Sequence, residues 1–73
     1  MRKDEFFVWL LKYCRDAGYS GLTPSSVIHE AQDKGLDIGS ILVIGRNHLI
    51  PRGWKRVVST RGQVIYLVPE EGE

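Results

Sequence analysis

Apolar residues recur at helical spacing in the first part of the chain. Over residues 4–17, DEFFVWLLKYCRDA, one helical face carries Phe6, Leu10, Cys14 and Ala17, with Phe7 and Leu11 beside it. Asp4 and Glu5 suit the positive end of a helix dipole, and Gly18 is typical of the position just past a helix C-terminus. The pattern predicts a first helix whose apolar surface is wider than a single stripe.

A second helix is predicted from Pro24 to Lys34, after a loop over residues 18–23. Thr23 is a favourable N-cap, and proline is tolerated at the first helical position because the N–H there has no partner within the helix. The inward face of this helix carries Val27, Ile28 and Ala31, and Gly35 follows as a stop signal.

Residues 37–50, DIGSILVIGRNHLI, fit two different structures. The β-branched run from Ile41 to Ile44 suits a buried strand. As a helix, the same segment is capped by Asp37 or Ser40 and ended by Pro51, and its apolar face carries Ile38, Ile41, Leu42, Gly45 and Leu49. The hydrophobic pattern alone leaves this choice open.

The last part of the chain is typical of a β-hairpin. Two strand-like runs, residues 54–59 and 63–69, are separated by the turn TRG, in which Gly62 supplies any positive φ. Pro69 stops the second strand. Residues 1–69 are therefore predicted to form one domain, and residues 70–73, EEGE, an acidic frayed tail.

Composition narrows the class of protein. Hydrophobic residues make up 42% of the 73 residues and charged residues 26%, as in a soluble globular domain. The longest apolar run, Phe6 to Leu11, is too short for a membrane span, and the acids in MRKDEFF argue against a secretion signal. With one cysteine and no internal disulfide, the chain is expected to be cytoplasmic, with no membrane partner.

The formal net charge of +1 hides an asymmetry. Residues 1–37 carry five basic and six acidic residues, and the last four residues carry three acids. Residues 38–69 have no acid and five basic residues, which are Arg46, Arg52, Lys55, Arg56 and Arg61. Such a block can attract a polyanion whatever the overall pI, although it also suits a solvated face.

Residues 27–46, VIHEAQDKGLDIGSILVIGR, resemble a helix-turn-helix motif. The matching positions are a small residue, a turn glycine and three apolar residues, namely Ala31, Gly35, Leu36, Ile41 and Ile44. Two helices that cross steeply need a small side chain at the crossing and a residue that tolerates the left-handed region at the turn. Glu30 and Lys34 depart from the pattern, which usually has apolar residues at those positions.

Helix, helix, helix and hairpin in this order resemble a winged helix-turn-helix domain over nearly the whole chain. The resemblance implies an α+β fold of three helices followed by a C-terminal β-hairpin wing. Residues 44–69 are also similar to the winged C-terminal modules of phage and plasmid replication primases. A second likeness, of VIGRNHLI to the KH signature, is less favoured because His48 replaces the second loop glycine and the first helix stands where KH needs a strand.

The winged-helix resemblance implies duplex DNA binding, as in a small phage or plasmid regulator or replication accessory. In such domains the second helix of the motif enters the major groove, and the wing contacts the backbone or the minor groove. The residues predicted to bind nucleic acid are Arg46, Asn47, His48, Arg52, Lys55, Arg56, Arg61, Ser25 and Ser26.

Within that set the hairpin residues differ in their expected roles. Arg61, at the turn, projects furthest from the core and is the strongest wing contact. Lys55 and Arg56 lie on opposite faces of a strand, so at most one of them faces the nucleic acid. Trp54 is expected to close the core rather than to stack on a base.

A protein-interaction module is the alternative. Its surface would consist of apolar residues of the third element and aromatic residues of the first helix, namely Ile38, Leu42, Val43, Trp9 and Tyr13. The wide apolar surface of the first helix also allows a homodimer. Neither metal-ligand spacing nor a nucleophile paired with a base is found, so no enzyme, metal or cofactor is expected.

Overall fold

The computed structural model describes residues 2–70. Two helices come first, α1 over Lys3–Ala17 and α2 over Pro24–Asp33, with a short strand β1 between them at Gly21–Leu22. The third helix has three consecutive segments: α-helical Ile41–Ile44, which we label α3, π-helical Gly45–Leu49 and a 3₁₀ turn at Ile50–Arg52. Strands β2, Lys55–Val58, and β3, Val64–Leu67, complete the fold.

The three strands form an antiparallel sheet in the order β1-β3-β2. Strand β1 pairs Gly21 with Leu67 and Leu22 with Tyr66. The prediction that residues 18–23 are only a loop is therefore wrong at these two positions. Two residues are too few to show an alternating pattern, and their hydrogen-bond partners lie far away in sequence.

Left-handed glycines end α1 and α2 as predicted. At the end of α2, Gly35 has φ of 73°, and the Leu36 N–H donates to the Ala31 carbonyl at 2.9 Å. This is the backbone pattern of a Schellman motif, and Ala31 beside it is fully buried. At the start of α2, the Thr23 hydroxyl accepts from the Ser26 N–H at 3.3 Å, so the predicted cap is also present.

The third helix settles the choice between helix and strand. Ile44 and Leu49 are both fully buried, although residues five apart on a regular α-helix point about 140° away from each other. The π-helical segment takes up an extra residue per turn, with the Ile50 N–H donating to the Gly45 carbonyl, so that both side chains reach the core. Packing thus overrides the β propensity of the Ile41–Ile44 run.

One hydrophobic core joins all three helices to the sheet. Its buried members are Phe6, Phe7, Leu10, Cys14, Val27, Ala31, Ile38, Ile44, Leu49, Trp54 and Tyr66. Ala17 and Ile41 were predicted to point inward but are exposed. Cys14 is fully buried in this core, and burial, followed by the nearby charge of Glu30, raises the pKa of its thiol.

The architecture is α+β, with three helices followed by a β-hairpin, and β1 joins the hairpin to form the sheet. This confirms the predicted fold class, and the arrangement is that of a small winged-helix-like domain. Of the predicted acidic tail, only Glu70 belongs to the described residues; residues 71–73 lie outside them. Among the helices within residues 2–70, none combines the length and the apolarity needed to cross a membrane.

Candidate nucleic-acid interface

A groove separates the start of the third helix from the β2–β3 hairpin. Its volume is about 190 Å³, and it is lined by Pro24, Ile41, Leu42, Arg56, Val64 and Tyr66. We call it the helix–wing groove. Because Pro24 is the first residue of α2, the groove also adjoins the N-terminal turn of that helix.

The spacing across the groove depends on a contact between Gly45 and Tyr66. The phenol of Tyr66 lies directly against the Gly45 backbone, where a Cβ would overlap the phenol oxygen and ring carbons. The absence of a side chain at Gly45 therefore lets the third helix approach β3 closely. Tyr66 is itself buried, so this contact fixes one wall of the groove relative to the other.

Strand register sends Arg56 and Lys55 to opposite faces of the sheet, as strand alternation predicts. Arg56 is paired with Tyr66, so both side chains share the face that packs on the helices, and both line the groove. Lys55 is paired with Leu67 on the other face. Arg56 is therefore the β2 cation that faces the groove.

Two further exposed arginines border this region. Arg46 follows the groove residue Leu42 by four positions, which places it about one turn further along the third helix, next to exposed Asn47. Arg61 is exposed in the hairpin turn, where the Ser59 hydroxyl accepts from the backbone N–H groups of Arg61 at 3.3 Å and of Gln63 at 3.1 Å. The turn is thus ordered by its own hydrogen bonds.

Arg52 was predicted to bind nucleic acid, but in the structure its side chain is bonded to other residues of the protein. Its guanidinium donates to the Asp4 carboxylate and to the His48 carbonyl, both at 3.0 Å. It also lies 4.4 Å from the centroid of the Phe7 ring. Arg52 therefore ties the end of the third helix to the start of α1, and its charge is paired with that of Asp4.

His48 is likewise packed against α1. Its ring stacks on Phe7 with the centroids 5.3 Å apart. Burial first, and then the positive charges of Arg52 and Lys3, lower the pKa of His48, while a hydrogen bond with the Ile38 backbone partly opposes them. The imidazole is therefore neutral at pH 7, and a charged contact from His48 to a phosphate is not favoured.

His48 gives the folded protein a measurable pH dependence. In the unfolded chain its pKa returns to about 6.5, so acid protonates the unfolded state first and favours unfolding. The contribution of neutral His48 is fully present above that value and is lost as the pH falls below it. We expect the midpoint of thermal unfolding to drop less between about pH 7.5 and pH 5.5 in His48→Gln than in wild type. Equal drops, measured by circular dichroism, would contradict this assignment.

Ser25 and Ser26 lie in the first turn of α2, beside the groove residue Pro24. Both are exposed. The Ser26 hydroxyl is 3.0 Å from the Thr23 hydroxyl, so it belongs to the helix cap. The Ser25 side chain, by contrast, is in none of the hydrogen bonds found within residues 2–70.

Three of the five residues proposed for protein interaction turn out to be packed in the structure. Ile38 is only 3% exposed, so its assignment to an interaction surface is wrong: it belongs to the core. Val43 is half-buried. Trp9 is half-buried as well, stacks on Tyr13 at 5.1 Å and carries the Lys34 ammonium 3.6 Å above its ring. Tyr13 and Leu42 remain on the surface.

Some groove residues were missed from the sequence, namely Pro24, Ile41, Val64 and Tyr66. The pairing of Arg56 with Tyr66 and of Val58 with Val64 places four side chains on one sheet face. Hairpin register could have revealed this face, because the TRG turn constrains which residues are opposite each other. The position of the third helix above that face could not be derived in the same way.

No three His, Cys, Asp or Glu side chains within residues 2–70 gather in a way that would hold a metal ion. No protein-family model, curated protein or solved structure matches this chain. Any inference about function therefore depends on the geometry and chemistry of the groove.

Proposed function

We propose that this protein binds duplex DNA through the helix–wing groove and the segments beside it. The observation that supports this proposal is the distribution of charge. The start of α2, the third helix and the hairpin contain no acidic residue, and Arg46, Arg56 and Arg61 are exposed on them. A surface that holds several cations and no anion favours a polyanionic partner.

In this proposal the third helix enters the major groove and the hairpin follows the phosphate backbone. Arg56 and Arg61 contact phosphates, and these contacts position the protein without specifying sequence. Arg46 and Asn47 carry the forked donors and acceptors that distinguish guanine and adenine edges. The protein is then a DNA-binding protein rather than an enzyme, of the kind found among cytoplasmic regulators and replication accessories of phages or plasmids.

The test is a titration of a short DNA duplex at two salt concentrations. The two phosphate contacts predict a slope of about −1.8 for log K against log salt, so binding weakens about 12-fold between about 50 and 200 mM salt. Arg56→Ala and Arg61→Ala should each weaken binding and reduce the magnitude of the slope by about 0.9.

Lys12→Ala is the matched control for the loss of one positive charge. Lys12 is exposed on α1, where it lines a separate cavity with Val8 and Leu11. Lys12→Ala should leave the salt slope of DNA binding unchanged. Absent or salt-insensitive binding contradicts the proposal, and so does an equal effect of Lys12→Ala and Arg61→Ala, which would reflect net charge alone.

Protein binding remains a second candidate because Leu42 is 91% exposed at the edge of the groove. A large apolar side chain in that position can anchor a protein partner. Because Leu42 has little contact with the core, Leu42→Glu should leave the thermal stability unchanged, while it abolishes binding to such a partner. If Leu42→Glu keeps the DNA affinity and the salt slope of wild type, Leu42 is not part of the DNA interface and remains available to a protein partner.

A further inference from the structure

We propose that Leu42 and Ile41 contact the 5-methyl groups of thymine, so that the favoured DNA carries thymine where the third helix begins. This inference rests on the proposed DNA binding and specifies it further. The first two residues of the third helix are exposed although they are apolar: Leu42 is 91% exposed and Ile41 is 51% exposed.

The exposure of these residues follows from the packing of the third helix. The core is filled by Ile38 before the helix and by Ile44 and Leu49 within it. Leu42 therefore contributes almost nothing to the core, and its apolar surface is in contact with water. Residues at the start of a recognition helix are the ones that contact base edges in helix-turn-helix proteins.

The chemistry of the major groove offers one partner for such side chains. Its edges present hydrogen-bond donors and acceptors, which an aliphatic side chain cannot use, and a single apolar group, the thymine methyl. Arg46, about one turn further along, can bond to a neighbouring base. The start of the helix would then recognise methyl groups, and the middle would recognise polar edges.

The cations beside the groove favour DNA over a protein partner here. Arg56 lines the same groove as Ile41 and Leu42, and the segments that border it contain no acid. The groove, at about 190 Å³, is smaller than the roughly 300 Å³ at which ligand pockets typically begin. A DNA duplex can supply both a phosphate near Arg56 and a thymine methyl group at Leu42.

Substitution of deoxyuridine for thymidine isolates the methyl group. The two nucleotides form the same base-pair hydrogen bonds and carry the same phosphate charge, but uracil lacks the 5-methyl group. We compare an alternating dA–dT duplex with the corresponding dA–dU duplex at one salt concentration. Each lost methyl contact should weaken binding about fourfold, so wild type should bind the dA–dU duplex between about fourfold and 15-fold more weakly.

Leu42→Ala should reduce the preference for the dA–dT duplex about fourfold, because only the Ile41 contact remains, while its salt slope stays that of wild type. Val8→Ala is the matched control, since Val8 is also an exposed aliphatic residue, 71% exposed on α1, but does not line the helix–wing groove. It should keep the full preference for thymine. Circular dichroism melting should show that both variants are as stable as wild type.

The outcomes distinguish this inference from the function on which it rests. Salt-dependent binding with equal affinity for the two duplexes overturns thymine recognition and leaves DNA binding intact. A thymine preference that is undiminished in Leu42→Ala overturns the assignment to Leu42 and leaves its exposed surface to a protein partner. Absence of binding to both duplexes overturns the inference and the proposed function together.

Discussion

Replacement of Trp54 by alanine is expected to lower the free energy of unfolding by about 3–5 kcal/mol. Trp54 is 3% exposed and lines the contact between α1 and the end of the third helix, with Phe7, Leu11 and Arg52 around the adjacent cavity. Its backbone N–H also donates to the Leu49 carbonyl at 3.1 Å. The alanine variant loses this large packed side chain and leaves a cavity in its place.

A chain of this length has a total stability of roughly 4–11 kcal/mol, so Trp54→Ala should lose between about a quarter and all of it. Urea denaturation followed by circular dichroism measures the change. Trp54→Phe keeps an aromatic ring in the core and should lose much less stability. A Trp54→Ala protein with wild-type stability but weakened DNA binding would instead indicate that the indole stacks on a base.

Gly45→Ala should lower the free energy of unfolding by about 3 kcal/mol, near the upper end of the usual range for overpacked sites. Helix propensity alone predicts the opposite sign, because alanine is favoured over glycine by up to ~1 kcal/mol inside a helix. The structure reverses this expectation: the new Cβ would overlap the Tyr66 phenol, and Tyr66 is buried between the sheet and the helices. Either the third helix or β3 must then move.

The control for Gly45→Ala is the same change in a Tyr66→Leu background. Leucine lacks the phenol oxygen and the ring atoms that the Cβ would overlap, so the cost of Gly45→Ala should largely disappear there. A double-mutant cycle from urea denaturation measures this coupling. Equal costs in the two backgrounds would show that Gly45 is needed for another reason. Because the contact fixes the helix–wing groove, Gly45→Ala should also weaken DNA binding.

The amino-acid sequence determined the elements whose signals are local. Thr23 and Pro24 begin α2, the left-handed Gly35 ends it, and the hairpin forms around the turn that contains Gly62. Caps and turns depend on a few neighbouring residues and on their own backbone hydrogen bonds, so they are visible without the rest of the fold. The acid-free block at residues 38–69 is likewise a property of the sequence itself.

The tertiary structure alone decided the features that depend on distant contacts. The pairing of Gly21 with Leu67 created a strand that has no local signal, and the surroundings of Gly45 made the ambiguous segment a helix with a π-turn. That turn decided which apolar residues are buried, and it left Leu42 on the surface. Which of the neighbouring isoleucines and leucines are buried depends on how the helices pack on the sheet, because burial is a property of the packed arrangement.

In the same way, the role of each basic residue depended on what lies opposite it. Arg52 and His48 belong to the basic segment in the sequence, yet both contact α1: Arg52 donates to Asp4, and His48 stacks on Phe7. Arg56 faces the groove because β2 is paired with β3 in one register. The sequence determined how much positive charge the second half of the chain carries. Only the folded structure decided which of these cations form ion pairs or stack on other side chains, since such contacts join residues far apart in sequence.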